Sequence, residues 1–311
     1  MSHFEFMEEE CDEIVSVVIP VYKDLSGLKD TIASIKHCRT IPGWQLEIIV
    51  VNDGASTDIS AYCCDESLIE VSISPNKGSY YARNRGLEFS RGCCIGFVDA
   101  DIIVDEAWVQ NAVLALKGAD YVAGAIKVTR GLVSPTVVDY QQLIDFNTKW
   151  HLESMKYGPT ANVWITRKVV HAIGGFNENL FSGGDMDFGI RVHASGTLKA
   201  VYGESVQVVH PPRNFWGLLQ KSKRLAYGHT TSKGQSDLQS KFSIWGSLKR
   251  NLGHKSVGRK IPFKVQCLRI FLYVHRLFYK LYYKFFLQHT EFDKVVNSNP
   301  VISKNDFSHA S

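Results

Sequence analysis

The pair Asp99 and Asp101, separated only by Ala100, is the first place in this chain where chemistry could sit. It follows a short apolar run, Cys93 to Val98, that reads as a buried strand. If the extended conformation continues, alternate side chains share a face and both carboxylates point into one space. Two carboxylates at the end of a buried strand repel each other and lose hydration unless a cation or strong donors compensate. Hard divalent ions such as Mg²⁺ or Mn²⁺ favour oxygen ligands and share them with substrate phosphates. The alternative is a turn, with the two aspartates accepting backbone N–H bonds or capping a helix that begins near Glu106. A third carboxylate, Asp185, follows Gly183 and Gly184, which permit close approach of another molecule to the backbone. Asp185 stands where a helix N-cap is expected, and Asp187 and Arg191, four apart, are spaced to pair on that helix.

These residues need a frame. Ile14 to Tyr22 is a near-continuous apolar run, the pattern of a strand covered on both faces, with Pro20 expected to stop the ladder. Asp24 and Ser26 can cap a helix carrying Leu28, Ile32 and Ile35. Leu46 to Val51 and Ile69 to Ile73 are two more strands, and Tyr80 to Ser90 is a helix. Further on, the pattern predicts a helix from Trp108, a strand over Tyr121 to Val128, and a helix over Pro135 to Trp150. Short strands follow at Trp164 to Thr166 and Val206 to Val209. Alternating strands and helices predict an α/β fold, a mostly parallel open sheet with helices on both faces. Ligands bind such sheets outside the carboxyl ends of the strands. Asn52-Asp53, Asn76-Lys77-Gly78 and Asp99-Ala100-Asp101 all fall there, which points to one nucleotide-type site built from three loops.

Composition sets the outer bounds. With 311 residues the chain can bury one large core or two modest ones, and a net charge of +4 is too small to argue for nucleic acid. Met1 to Asp12 is acidic and does not read as a signal peptide, and no run is apolar enough for a spanning helix. The seven cysteines include the adjacent pairs Cys63-Cys64 and Cys93-Cys94, which read as buried thiols of a reducing, cytoplasmic compartment.

In order and spacing, the blocks Val15–Asp24, Ile48–Asp58, Asn76–Gly86, Gly96–Asp101, Asn162–Arg167 with Gly174–Phe176, Gly183–Arg191 and Val208–His210 resemble family 2 of the inverting glycosyltransferases, with their GT-A fold. The resemblance covers roughly residues 14–212. It implies a nucleotide-sugar site in which Pro20 and Tyr22 lie in the first strand-end loop, Tyr22 against the base, and Asp53 accepts a hydrogen bond from the base. Lys77 and Arg83 would face the base or the diphosphate, Asp99 the ribose, and Asp101 a Mn²⁺ or Mg²⁺ ion bridging both phosphates. His210 would be a further metal ligand, and Asp185 the catalytic base. Trp164, Gly184 and Asp187 would border the acceptor; many members carry Glu-Asp where this chain has Gly184-Asp185. The implied reaction moves a sugar, from UDP-hexose or UDP-N-acetylhexosamine, to a hydroxyl of a glycan or lipid-linked acceptor. A sugar nucleotidyltransferase and a catalytically inactive binding module are the alternatives.

The domain expected over residues 14–232 is followed by a Gly, Ser and Lys-rich linker over 233–262, a helix over 263–289 and a tail to 311. On a helical wheel Phe271, Val274, Phe278, Leu281 and Phe285 share one face, with Arg269, Arg276, Lys280 and Lys284 opposite. That pattern suits a helix lying in an anionic membrane surface, at the inner face of the plasma membrane, or one docked on the catalytic domain or a partner copy.

Overall fold

A computed structural model describes residues 13–54, 59, 68–231 and 261–289, with the side chains of 287–289 left out. The acidic N-terminus, Ser56, Asp58, Cys63-Cys64, the basic stretch 233–260 and the tail 290–311 lie outside the described residues. The chain divides into two compact units, the first formed by residues 1–129, 146–178 and 184–211 and the second by the remainder. The helix over Phe215–Thr231 therefore falls in the same unit as the C-terminal helix.

Unit 1 is built on an eight-stranded sheet. Its strands are β1 (Ile14–Val21), β2 (Gln45–Asp53), β3 (Leu68–Ile73), β4 (Cys94–Val98), β5 (Ile103–Val104), β6 (Tyr121–Val128), β7 (Asn162–Thr166) and β8 (Ala200–His210), ordered 3-2-1-4-7-6-8-5. The β3-β2-β1-β4 half is parallel throughout, as expected. β7 runs antiparallel to both β4 and β6, and β5 antiparallel to β8, so the sheet is mixed. Pro20 does not stop the ladder: β1 continues through it to Val21, with Pro20 opposite Val51. Proline lacks a donor but keeps its carbonyl, and this far along the strand the loss of one bond is tolerated.

The apolar runs alternate between two covered faces, as a doubly wound sheet requires. Val15, Val17 and Ile19 of β1 join α1 (Leu25–Lys36) and α3 (Trp108–Leu116) in one layer. Val18 with Ile49 and Val51 packs on the other face against α2 (Ser79–Phe89), α6 (Arg167–Ile173) and α7 (Gly184–Ala194).

Unit 2 contains α4 (Pro135–Tyr140), continued by a π-helical turn over Gln141–Asp145, together with α8 (Phe215–Thr231) and α9 (Phe263–His289). α5 (Thr148–Trp150), followed by a second π turn over His151–Met155, belongs to unit 1. The single helix expected over Pro135 to Trp150 is therefore interrupted. Val137, Tyr140, Leu218, Val265 and Leu272 form the core of unit 2.

Candidate active site

The Asp99–Asp101 segment is a turn, not an extension of β4, because the strand stops at Val98. The two carboxylates therefore part company. Asp99 accepts from Arg83 Nη2 at 2.6 Å, in a pair whose guanidinium is 4% exposed and whose carboxylate is 36% exposed. Arg83 Nε is buried without a hydrogen-bond partner, an orphaned donor beside the open carboxylate. Glu88, on the same helix, pairs with Arg85.

Asp101 turns the other way. β5 follows it and runs antiparallel to β8, with Ile103 opposite Val209, so the topology carries Asp101 to the carboxyl end of β8 and His210. His210 Nε2 lies 3.9 Å from Asp101 Oδ2, too far for a hydrogen bond. Its Nδ1 lies 2.5 Å from the Pro211 carbonyl oxygen, a contact that only a protonated Nδ1 can make favourably. In the neutral ring that contact leaves the lone pair on Nε2, the nitrogen on the Asp101 side. Metal-bound histidines are oriented by the same kind of backbone contact. With bonds of about 2.0–2.1 Å, neighbouring ligands of one octahedral ion stand about 2.9 Å apart, so this pair would draw together by about 1 Å to share one. These residues fit a divalent ion. Among the described residues no group of three or more His, Cys, Asp or Glu side chains converges as a cage, so Asp101 and His210 would leave the other positions to diphosphate and water.

The turn itself is held by a residue that the sequence reading missed. Thr31, fully buried on α1, reaches the Ala100 and Ile102 carbonyls and accepts the Ile102 N–H. Gly27, one turn earlier, lets α1 approach: a Cβ there would stand 2.7 Å from the Ala100 oxygen. Only the apolar face of α1 was visible in the sequence, where Thr31 reads as a neutral helix position.

Asp53 is also committed locally. Its buried carboxylate accepts from Lys77 N and Gly78 N, each at 2.7 Å, and from Asn76 Nδ2 at 3.0 Å. It holds the 76–78 loop, and a base would have to share an acceptor with three donors already in place. Tyr22 is half-buried after β1, Lys77 is exposed with Nζ 5.6 Å from the Tyr81 ring centroid, and Pro20 is half-buried in β1.

Asp185 lies in the first turn of α7, one residue inside the helix, its Oδ1 accepting the Met186 N–H at 3.0 Å. The helix N-terminus favours its anion. Gly184 packs against the Tyr80 ring, 2.7 Å from where a Cβ would be, so the glycine brings α7 against the start of α2. Burial pushes the Tyr121 phenol well up, and the Asp185 charge adds to the shift. Asp187 pairs with Arg191 at 2.8 Å, and Arg191 also grips the Ile173 and Gly175 carbonyls. Asn84 of α2 clamps the same loop through both backbone groups of Phe176. Trp164 needs correction: it is fully buried, edge-on to Trp108 at 4.6 Å and against Gly96, so it is a core residue and does not border an acceptor. Its β7 position made it look like part of the strand-end rim, but its ring faces the α3 layer.

The sequence profile of "Glycosyl transferase family 2" matches residues 16–178. The chain belongs to glycosyl transferase family 2. The family 2 match takes in the Asp53 loop, Arg83 and the Asp99–Asp101 turn, and stops short of α7 and β8. Among curated relatives, the glycosyltransferase AglE of Haloferax volcanii is 29% identical over 224 residues, 69% of this chain and 72% of its own. The pre-mycofactocin glycosyltransferase of Mycobacterium tuberculosis is 28% identical over 58% of this chain and 39% of its own. The chain shares its fold with residues 1–349 of TarS from S. aureus in complex with UDP-GlcNAc, at TM-score 0.51 and 15% identity over 87% of this chain and 89% of that one. The mannosyltransferase PcManGT from Pyrobaculum calidifontis, in complex with GDP-Man and Mn²⁺, aligns at TM-score 0.51 and 16% identity, covering 86% and 71%. The family 2 protein is thus a glycosyltransferase with a GT-A fold.

Proposed function

We propose that this glycosyltransferase is a metal-dependent, inverting enzyme that transfers a sugar from a UDP-hexose or UDP-N-acetylhexosamine to a hydroxyl of a glycan or lipid-linked acceptor. The observation that carries the reading is the 3.9 Å facing of Asp101 and His210, with Nδ1 of His210 committed to the Pro211 carbonyl so that Nε2 is the ring nitrogen left for a ligand bond. A divalent ion bound there would stabilise the charge left on the departing diphosphate, on the order of several kcal/mol. Arg83, with its orphaned Nε, supplies a fixed positive charge for the nucleotide beside Asp99. Asp185, an anion at a helix N-terminus, takes the proton from the attacking hydroxyl. A base so positioned contributes roughly 10²- to 10⁴-fold in rate. Attack on the face opposite the diphosphate inverts the anomeric centre, so an α-linked donor gives a β-glycoside. The adjacent cysteine pairs, read as thiols of a reducing compartment, support a cytoplasmic setting.

The test is product analysis. Full-length protein is incubated with UDP-GlcNAc, UDP-glucose or GDP-mannose, with Mn²⁺ or EDTA, and the nucleotide product is identified. Release of nucleoside diphosphate that EDTA abolishes is the expected result. Pyrophosphate as the product would make the protein a nucleotidyltransferase. Donor binding without turnover on any acceptor would make it a binding module.

A further inference from the structure

α9 is docked with the face opposite to the one a buried amphipathic helix would use. Its core contacts run through Val265, Leu272 and the stem of Arg269, all buried. Phe271, Val274, Phe278, Leu281 and Phe285, the apolar stripe, are between 48% and 62% exposed. α8 extends this surface: Phe215 stacks on Phe271 at 5.9 Å, and Trp216 is 69% exposed. So large an aromatic surface on a folded unit marks a binding face.

Charge decides the occupant. Residues 212–289 carry sixteen of the 35 lysines and arginines of the chain and one of its 31 acidic residues. The remainder of the chain is net acidic, so the small overall charge hides a strongly cationic C-terminal region. α9 has no Asp or Glu at all, and Lys264 and Lys284 are exposed near the two ends of its stripe. A second copy would set the exposed Lys264 and Lys284 against like charges, with no acid on either α9 to pair them, which disfavours self-association. Nucleic acid would want cations outermost, whereas here Arg269 is buried and the outer face is phenylalanine and leucine. No described helix is long and apolar enough to cross a membrane. A helix of 27 residues with an aromatic face and basic flanks matches a bilayer interface, where rings enter the acyl boundary and lysines meet anionic headgroups.

We propose that the outward face of α9, with Phe215 and Trp216, docks in the plane of an anionic lipid bilayer. Full-length protein is floated with vesicles of phosphatidylcholine and phosphatidylglycerol (about 7:3) and with phosphatidylcholine alone; wild type is compared with the Phe271→Asp/Phe278→Asp/Phe285→Asp variant. All three positions face solvent, and an unchanged melting temperature verifies the fold of the variant. Wild type is expected to partition onto the anionic vesicles, with at least a tenfold loss in the variant and a marked loss at about 0.5 M salt, where charge attraction is screened. Failure of wild type to float on anionic vesicles, or equal flotation of the variant, overturns the proposal. So does a lipid-independent dimer that the variant splits, or binding of an RNA oligomer by both proteins without flotation.

Discussion

Thr31 Oγ1 lies 2.7 Å from the Ile102 carbonyl oxygen and accepts the Ile102 N–H at 3.1 Å, so one hydroxyl of α1 holds the turn that carries Asp101. Its single proton is shared with the Ala100 carbonyl, 2.9 Å away. Thr31→Val keeps the shape but strands these buried groups, at about 1–3 kcal/mol. The melting temperature should fall, and the Mn²⁺ concentration for half-maximal activity should rise. Thr31→Ser should restore both; a variant that melts lower with unchanged Mn²⁺ demand would make Thr31 structural only.

Arg83 offers a second handle. Arg83→Met leaves Asp99 without its ion pair and removes the orphaned Nε, so the donor KM should rise roughly tenfold or more for a lost charge-assisted contact. Arg83→Lys should recover only part, because an ammonium lacks the planar fork. Steady-state kinetics against donor concentration gives the answer, and a KM unchanged in both variants removes Arg83 from the nucleotide site.

Replacing Asp101 by Asn should remove metal-dependent turnover. His210→Ala should keep some activity but shift Mn²⁺ demand by about 10–100-fold, the range for loss of support at a metal site. Mn²⁺ titrations of nucleoside diphosphate release measure both. Identical curves for His210→Ala and wild type would leave His210 as a packing residue against Phe146, whose ring centroid is 4.6 Å away.

For Asp185→Asn, donor affinity should stay near that of wild type while kcat drops by about 10²–10⁴-fold. Donor binding by calorimetry and single-turnover transfer separate the two effects. Turnover close to wild type would show that another group takes the proton.

Unit 2 should be acid-sensitive through His229. Burial, with the nearby Lys280 and Arg276 charges, pushes this imidazole down to about 3 from its usual 6.5. The folded state holds it neutral, so its contribution is fully present above about pH 6.5 and is lost as pH falls towards the folded value. Between pH 6.5 and 5 the loss is at most about 2 kcal/mol. The melting temperature should fall from pH 6.5 to 5 in wild type and fall less in His229→Gln.

The strands of the parallel half were legible because runs such as Ile14–Val21 and Gln45–Asp53 are buried on both faces, leaving an unbroken apolar signal. The antiparallel insertion of β7 was not, since strand order depends on packing partners far away in sequence. β5 is two residues long and α6 starts directly at Arg167 from the end of β7, so neither has a periodic pattern to read. At the site, residue types at loop ends stood out, but the pairing of Arg83 with Asp99 needed coordinates. The wheel of α9 located its apolar stripe correctly; which side of that wheel meets the core is a property of the neighbours.

The short pairing of β5 with β8 sets a limit on how this protein can vary. One residue added between Asp101 and Ile103 would slide the carboxylate past His210 or flip β5 over, since neighbouring strand positions face opposite ways. Lengthening elsewhere on the rim would merely reshape what the enzyme admits, whereas the spacing from that aspartate to the reversal is a fixed ruler.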